Sequence, residues 1–200
     1  MAIFARAFLI ACLLALFVRG YLLQLYNVPS DSMAPGLLPG DHVAVDRFAL
    51  SREPRRFEVL VFEGPGGRRL IKRLLGLPGE RVEVVDHRIL VDGRPLEKGA
   101  SYLLLPSPAM PAAAAVPASF GPLRLGPDEF LLLGDQRGVS LDSRVFGPVE
   151  RRRIVGRAFM IYWSIEGDRA ADGPSFDKIA APARSRWRTV RWNRCLRPLR

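Results

Sequence analysis

Residues 82–91 read VEVVDHRILV. Two apolar-rich arms flank Asp86-His87-Arg88, which predicts a hairpin with its turn centred there, and Asp92-Gly93 marks the next turn. Working outward, residues 42–48 (HVAVDRF) alternate apolar and polar, as do parts of 57–62 (FEVLVF). Phe130 to Leu133 is a short buried run, and Ile154 to Trp163 is a further strand candidate. Pro and Gly punctuate the chain from Val28 onward. No internal repeat and no long 3.6-residue pattern appears there. The fold class expected is mainly β, with antiparallel sheets.

The N-terminus reads differently. Ala7 to Val18 (AFLIACLLALFV) is unbroken apolar sequence. As a helix it spans ~18 Å, short of a ~30 Å hydrocarbon core, but Ala2 to Leu25 reaches ~36 Å. Arg6 and Arg19 would then snorkel to the headgroups. A cleaved secretory signal would need small residues next, whereas Arg19-Gly20-Tyr21-Leu22-Leu23 follow. A lipoprotein signal at Leu9-Ile10-Ala11-Cys12 would have a very short apolar stretch before its cysteine. The expectation is an uncleaved anchor over 1–25, whose flanking arginines say little about orientation.

The 200 residues carry 48% apolar and 25% charged side chains, an ordinary globular balance. Two cysteines, Cys12 and Cys195, and two histidines exclude a disulfide framework and a Cys-rich zinc site. The net charge of +10 is mostly a property of the tail: seven arginines fall within 184–200 without an acid, leaving the rest near +3. That tail also holds Trp187 and Trp192, a composition suited to an anionic membrane surface more than to nucleic acid. Residues 100–122 carry Pro106, Pro108, Pro111, Pro117 and Pro122 around Ala112 to Ala115, and read as a long surface loop.

Three segments hold candidate chemistry. Pro29 to Asp41 (PSDSMAPGLLPGD) brings two serines into a turn-rich stretch. Leu70 to Val82 (LIKRLLGLPGERV) sets a lone lysine among apolar residues. On a strand, Leu70, Lys72 and Leu74 share one face while Arg73 points to the other. A buried ammonium loses basicity, so Lys72 is a candidate general base, or else a lysine that snorkels from an edge strand. Gly134 to Val149 (GDQRGVSLDSRVFGPV) is dense in Asp, Ser, Arg and Gly, as a functional loop or an ordinary polar hairpin would be. Rivals are weak. Asp41 and His42 point to opposite faces of a strand and make a poor triad with Ser32. His87 falls in a turn, the remaining acids are scattered, and Cys195 stands in the basic tail.

Taken in order behind an N-terminal anchor, the three segments resemble bacterial type I signal peptidases, membrane-anchored Ser–Lys endopeptidases. The family pattern P-S-x-S-M-x-P-T-L-x-x-G-D is matched by Pro29 to Asp41. Its lysine motif is matched by Leu70 to Glu80, and its third motif, G-D-N-R-D-N-S-x-D-S-R-x-x-G, by Gly134 to Gly147. Phe120-Gly121-Pro122, Gly156-Arg157-Ala158-Phe159 and Arg191-Trp192-Asn193-Arg194 fit as well. Gly36 replaces the usual threonine, Asp31 a frequent glycine, and Gln136, Gly138 and Val139 the usual Asn, Asp and Asn.

The resemblance implies an antiparallel β-sheet catalytic domain of signal-peptidase type with one N-terminal transmembrane helix. It divides the chain into an anchor (1–25), a β-rich catalytic domain with the Pro/Ala loop (26–183) and a basic segment partly closing the fold (184–200). Ser32 matches the nucleophile and Lys72 the general base. Ser30 matches the hydroxyl that helps the Ser32 amide hold the oxyanion, and Ser140 the serine that positions the lysine. Asp135, Asp142 and Arg144 match charged residues bracing the site, with Asp135 paired to Arg73 and Asp142 to Arg144. Val28, Met33, Leu37 and Ile71 match positions near the pockets for small substrate side chains. Implied partners are preproteins with small residues at −3 and −1 and membrane lipid, with no nucleic acid, metal or cofactor. The implied place is the bacterial cytoplasmic (inner) membrane, single-pass, with the catalytic domain on the extracytoplasmic side. A dedicated maturation peptidase of the same chemistry and a weakly active membrane scaffold of the same fold are the alternatives. Self-cleaving repressors would need a DNA-binding domain where the anchor stands.

Overall fold

The run Val59-Leu60-Val61-Phe62 is apolar at every position, so a strand there needs cover on both faces. The computed structural model describes residues 4, 6–10, 23–85, 88–96, 116–117, 119–166 and 190–199. Among these, the strands in chain order are β1 (Leu23–Asn27), β2 (Asp41–Asp46), β3 (Val59–Glu63), β4 (Arg69–Gly76), β5 (Arg81–Val85), β6 (Arg88–Val91), β7 (Arg94–Pro95), β8 (Phe120–Arg124), β9 (Glu129–Leu133), β10 (Val149–Glu150), β11 (Ile154–Ser164) and β12 (Arg197–Pro198). The larger sheet runs β1-β2-β11-β3-β4-β9-β10, with β12 also on β11, and a smaller one runs β7-β6-β5-β8. Their pairings are antiparallel.

Alternation distributes these strands among three apolar clusters. Val59 and Val61 enter one with Val28, Met33, Leu37, Val43, Val45 and Ile161. Leu60 and Phe62, on the opposite face of β3, enter a second with Leu74, Phe130 and Leu132. Leu131 and Leu133 of β9 turn the other way, into a third with Leu75, Val82, Val84 and Ile89. β9 therefore cements the two sheets together.

β5 and β6 form the hairpin expected over 82–91, although Asp86 and His87 lie outside the described residues. Asp92 and Gly93 both adopt positive φ, 50° and 76°, as a two-residue hairpin turn requires. Several boundaries differ from the sequence expectation: β2 ends at Asp46, short of Phe48, which opens a 3-10 turn, and β3 begins at Val59, after Phe57 at a positive φ of 74°. Leu23 to Leu25, assigned to the anchor by hydropathy, open β1 and pair with Asp46 to Ala44 of β2. Hydropathy cannot separate a span from an apolar strand that continues it. Phe120 to Pro122, assigned to the Pro/Ala loop, open β8, where Phe120 pairs with Val84. β8 is an edge strand, where a proline is tolerated. Most of the remaining 100–122 segment lies outside the described residues, as do 11–22 of the expected anchor. Phe4 and residues 6–10 are helical, with Phe4, Phe8, Leu9 and Ile10 exposed. Among the described residues no helix is long and apolar enough to cross a membrane. Of the basic segment 184–200, residues 190–199 are described. Val190 bridges to Ile165, and β12 pairs with Met160 and Ile161 of β11.

β1 and β4 are four places apart in the larger sheet, ~19 Å if it were flat. Yet Arg69 of β4 hydrogen-bonds Gln24 and Tyr26 of β1. The sheet therefore curls until these two strands face each other across a slot.

Candidate active site

The chain leaves β1 through Val28-Pro29-Ser30 and enters a short 3-10 turn, Asp31–Met33. Met33 and Leu37 are buried in the first cluster and anchor both sides of this turn, and Leu37 N donates to Met33 O at 2.8 Å. Ser32 is held between them at the mouth of the slot. Its carbonyl accepts from the Gln136 amide at 3.1 Å, which ties the turn to the 134–144 loop. Ser30 Oγ lies 3.2 Å from Ser32 Oγ, exposed at the surface.

Lys72 comes from the other side. In β4, Leu70 and Leu74 pack with the second cluster and Ile71 against the first, as alternation requires. Lys72, between Leu70 and Leu74, is only 4% exposed, and its Nζ stands 2.8 Å from Ser32 Oγ. Burial pulls the amine down from the ordinary lysine value of 10.5 to about 8. Asp142 and Asp135 oppose that fall and Arg144 adds to it, but desolvation is the largest effect.

Behind the amine lie two buried ion pairs. Arg73 Nε and Nη2 bind Asp135 Oδ1 and Oδ2, each at 2.7 Å, while Nη1 reaches Phe57 O at 2.8 Å. Arg144 Nε and Nη2 bind Asp142 Oδ1 and Oδ2 at 2.9 Å. Asp142 also caps the helical turn Ser143–Phe146 and accepts from Gly134 N at 3.0 Å. Both pairs satisfy their charges bidentately, the geometry that keeps buried ions tolerable. Gly36 abuts the first pair: a Cβ there would strike Asp135 Oδ2. The glycine that departs from the expected pattern is thus the residue that lets this pair approach the Ser32 turn.

Ser140 is fully buried but makes no hydrogen bond to Lys72. Its Oγ has no hydrogen-bond partner among the described residues and packs against Gly134. Val28, Met33 and Leu37 are buried together in the first cluster, with Ile71 packed against it. The structure thus gathers Ser30, Ser32, Lys72 and the two ion pairs at one end of the slot. His42 stands apart, its ring 5.9 Å from that of Tyr162. A cavity of about 300 Å³ between 55–59, 157–159 and Leu199 contains none of these residues. Among the described residues no three of His, Cys, Asp and Glu come together as a metal-holding group.

Sequence reasoning missed several contributors. Asp41, weighed only as a triad member, is buried and receives Ser164 Oγ at 2.6 Å and Arg194 Nη2 at 2.6 Å. Burial pushes its carboxyl up, but Arg194, the Leu38 amide and Ser164 outweigh this and hold it below the ordinary 3.8. Arg194 Nη2 also binds Gly36 O, and Arg191 Nη2 binds Pro39 O and Ile165 O. Two of the seven tail arginines are therefore internal braces of the loop that carries Ser32, not surface charge. Arg137, buried, spans from Gly134 O to Arg144 through its Nε and its carbonyl. The usable signal for Asp41, Arg137 and Arg194 was their presence inside the matched motifs.

Residues 1–163 match the family model described as signal peptidase, peptidase S26. A signal peptidase I of Leptolyngbya laminosa is 34% identical over 166 residues, covering 78% of this chain and 76% of that protein. Signal peptidase I V of Bacillus subtilis is 31% identical over 154 residues, covering 74% and 90%. A crystal structure of a signal peptidase I from Enterococcus faecalis is 31% identical, covers 53% of this chain and 97% of that one, and has a TM-score of 0.43.

Proposed function

The chain belongs to the signal peptidase family, peptidase S26, and on that premise we propose that it removes signal peptides from exported preproteins as a Ser–Lys serine endopeptidase. The observation that carries the reading is a buried amine 2.8 Å from a serine hydroxyl at the mouth of an open slot. An ordinary solvated lysine is protonated at neutral pH and cannot accept a proton. Lys72, held near 8, is neutral in a useful fraction of molecules and acts as general base.

Ser32 Oγ attacks the carbonyl carbon of the residue before the scissile bond while Lys72 Nζ takes its proton. The Ser32 amide and the Ser30 hydroxyl stabilise the oxyanion. Lys72 then passes the proton to the leaving amine as the C–N bond breaks. Water, deprotonated by the same amine, releases the acyl group and restores Ser32. Ser140 fills the space beside Gly134 and limits the positions open to the amine. Substrate lies extended in the slot, bonded main chain to main chain, with small residues at −3 and −1 facing Ile71 and the wall that Val28, Met33 and Leu37 back from within the core. The apolar N-terminal stretch holds the protein in the bacterial cytoplasmic membrane as a single span, with this domain on the extracytoplasmic side where preproteins emerge.

The test is incubation of the full chain in detergent with a preprotein carrying Ala at −3 and −1. The native protein is expected to release one mature product. Ser32→Ala and Lys72→Ala are expected to release none while keeping the native circular dichroism spectrum. Cleavage at the native rate by either variant would overturn the assignment.

A further inference from the structure

The slot has two unpaired main-chain edges among the described residues. β1 pairs only with β2. β4 pairs with β3 along 69–73, but its pairing with β9 begins only at Arg73, leaving the other edge of 69–72 open. An extended peptide can therefore add between them as a strand. One end of the slot is Ser32 and Lys72. The other is closed by side chains: Arg69 Nη1 reaches across to the Tyr26 hydroxyl and to Gln24 Oε1 at 3.3 Å, and its guanidinium carbon lies 5.8 Å from the Tyr26 ring centre. Tyr26 OH in turn donates to Gln24 Oε1 at 2.5 Å.

Two features make this bridge more than a surface contact. It joins β1 directly to β4 across the gap, as the Ser32–Lys72 contact joins the turn after β1 to the same strand. Among the described residues its charge is also not neutralised, because the partners are a phenol and an amide. Glu63, opposite Arg69 on β3, makes no ion pair with it. We infer that Arg69, presented by Tyr26 and Gln24, reads the charge of the substrate upstream of residue −3, favouring acidic and disfavouring basic side chains at −5 and −4. Arg69 is three residues from Lys72, about 10 Å along a strand, which is the reach from residue −1 to residue −4, and the arginine side chain extends it to −5. The inference rests on the endopeptidase reading above.

The experiment measures kcat/KM at low ionic strength for three peptides with Ala at −3 and −1, identical except that −5 and −4 are both Asp, both Asn or both Lys. The expected order is Asp, Asn, Lys, with steps of about two- to fivefold, the size of an exposed charge contact. The steps should shrink in 0.5 M salt. Arg69→Ala should bring the ratios close to one, and Arg69→Glu should invert the order. A ratio does not depend on the folded fraction, so partial unfolding of a variant cannot imitate this result. Equal cleavage of all three peptides by the native protein, or an unchanged order in Arg69→Ala, overturns this inference alone. Cleavage of none of them by the native protein sinks the endopeptidase reading and the inference with it.

Discussion

Lys72 carries a cost and a capability that come from the same desolvation. Its value is 10.5 when solvated and about 8 in the fold. Between those two values the unfolded chain binds the proton more tightly, so the contribution of Lys72 to stability rises with pH across that window. Below it the full cost applies, roughly 3 kcal/mol. Lys72→Met, which keeps the length and removes the charge, is therefore expected to raise the unfolding free energy at pH 7 by about that amount in urea titrations. The gain should vanish towards pH 10.5. A variant no more stable than the native protein at pH 7 would mean that the amine is solvated. Activity follows the same group with its own sign. In the proposed mechanism only the neutral amine takes the serine proton, so kcat/KM should climb about tenfold per pH unit up to about 8 and then level off.

At the scale of elements, the site is an assembly of a turn and a loop pressed together. The Asp31–Met33 turn presents Ser32, and the 134–144 loop backs it through the Gln136 amide on Ser32 O. Gly134 is where the two meet: an added Cβ would run into the Ser140 side chain and the Ser32 carbonyl. The second of these is backbone and cannot rotate away. Gly134→Ala should cost about 1–3 kcal/mol of stability, as overpacking does. It should lower kcat far more than it changes KM, because a shift of about 1 Å at a nucleophile costs on the order of a hundredfold. Steady-state kinetics on the folded variant reads both effects, and an unchanged kcat would show that the loop does not set the position of Ser32.

For the molecule as a whole, the segment 190–199 returns to the loop that carries Ser32 and locks it. Arg194 grips Asp41 and Gly36 O, while Arg191 grips Pro39 O and Ile165 O. Asp41 and Ser164 have no exposed surface, and removing one partner of a buried pair strands the other charge. Arg194→Ala is expected to lower the unfolding free energy by about 3–5 kcal/mol in denaturant titrations. The Asp41 contribution has a sign in pH as well. Because its folded value lies below 3.8, it is present in full above that value and is lost as pH falls through the lowered one. A loss of less than about 1 kcal/mol in Arg194→Ala would show the pair to be solvent-screened.

Local pattern alone located strands within 42–48 and 57–62 and the hairpin over 82–91, because side-chain alternation and turn chemistry act over a few residues, but it overran the end of β2 and the start of β3. It also singled out Lys72, since an amine between Leu70 and Leu74 stands out on any strand. The roles proposed for Ser30, Ser32 and Ser140 came instead from the family resemblance, because a serine in a turn has no pattern of its own. Ser32 with Lys72 and Arg73 with Asp135 were implied by the resemblance and by no local pattern, whereas Asp41 with Arg194 and Tyr26 with Arg69 were decided by the tertiary structure alone. β1 was hidden because Leu23 and Leu25 continue an apolar run, and only pairing with β2 distinguishes a strand from the end of a span. These contacts depend on how far the larger sheet curls, a quantity set by the packing of three apolar clusters together and written in no single stretch of the chain.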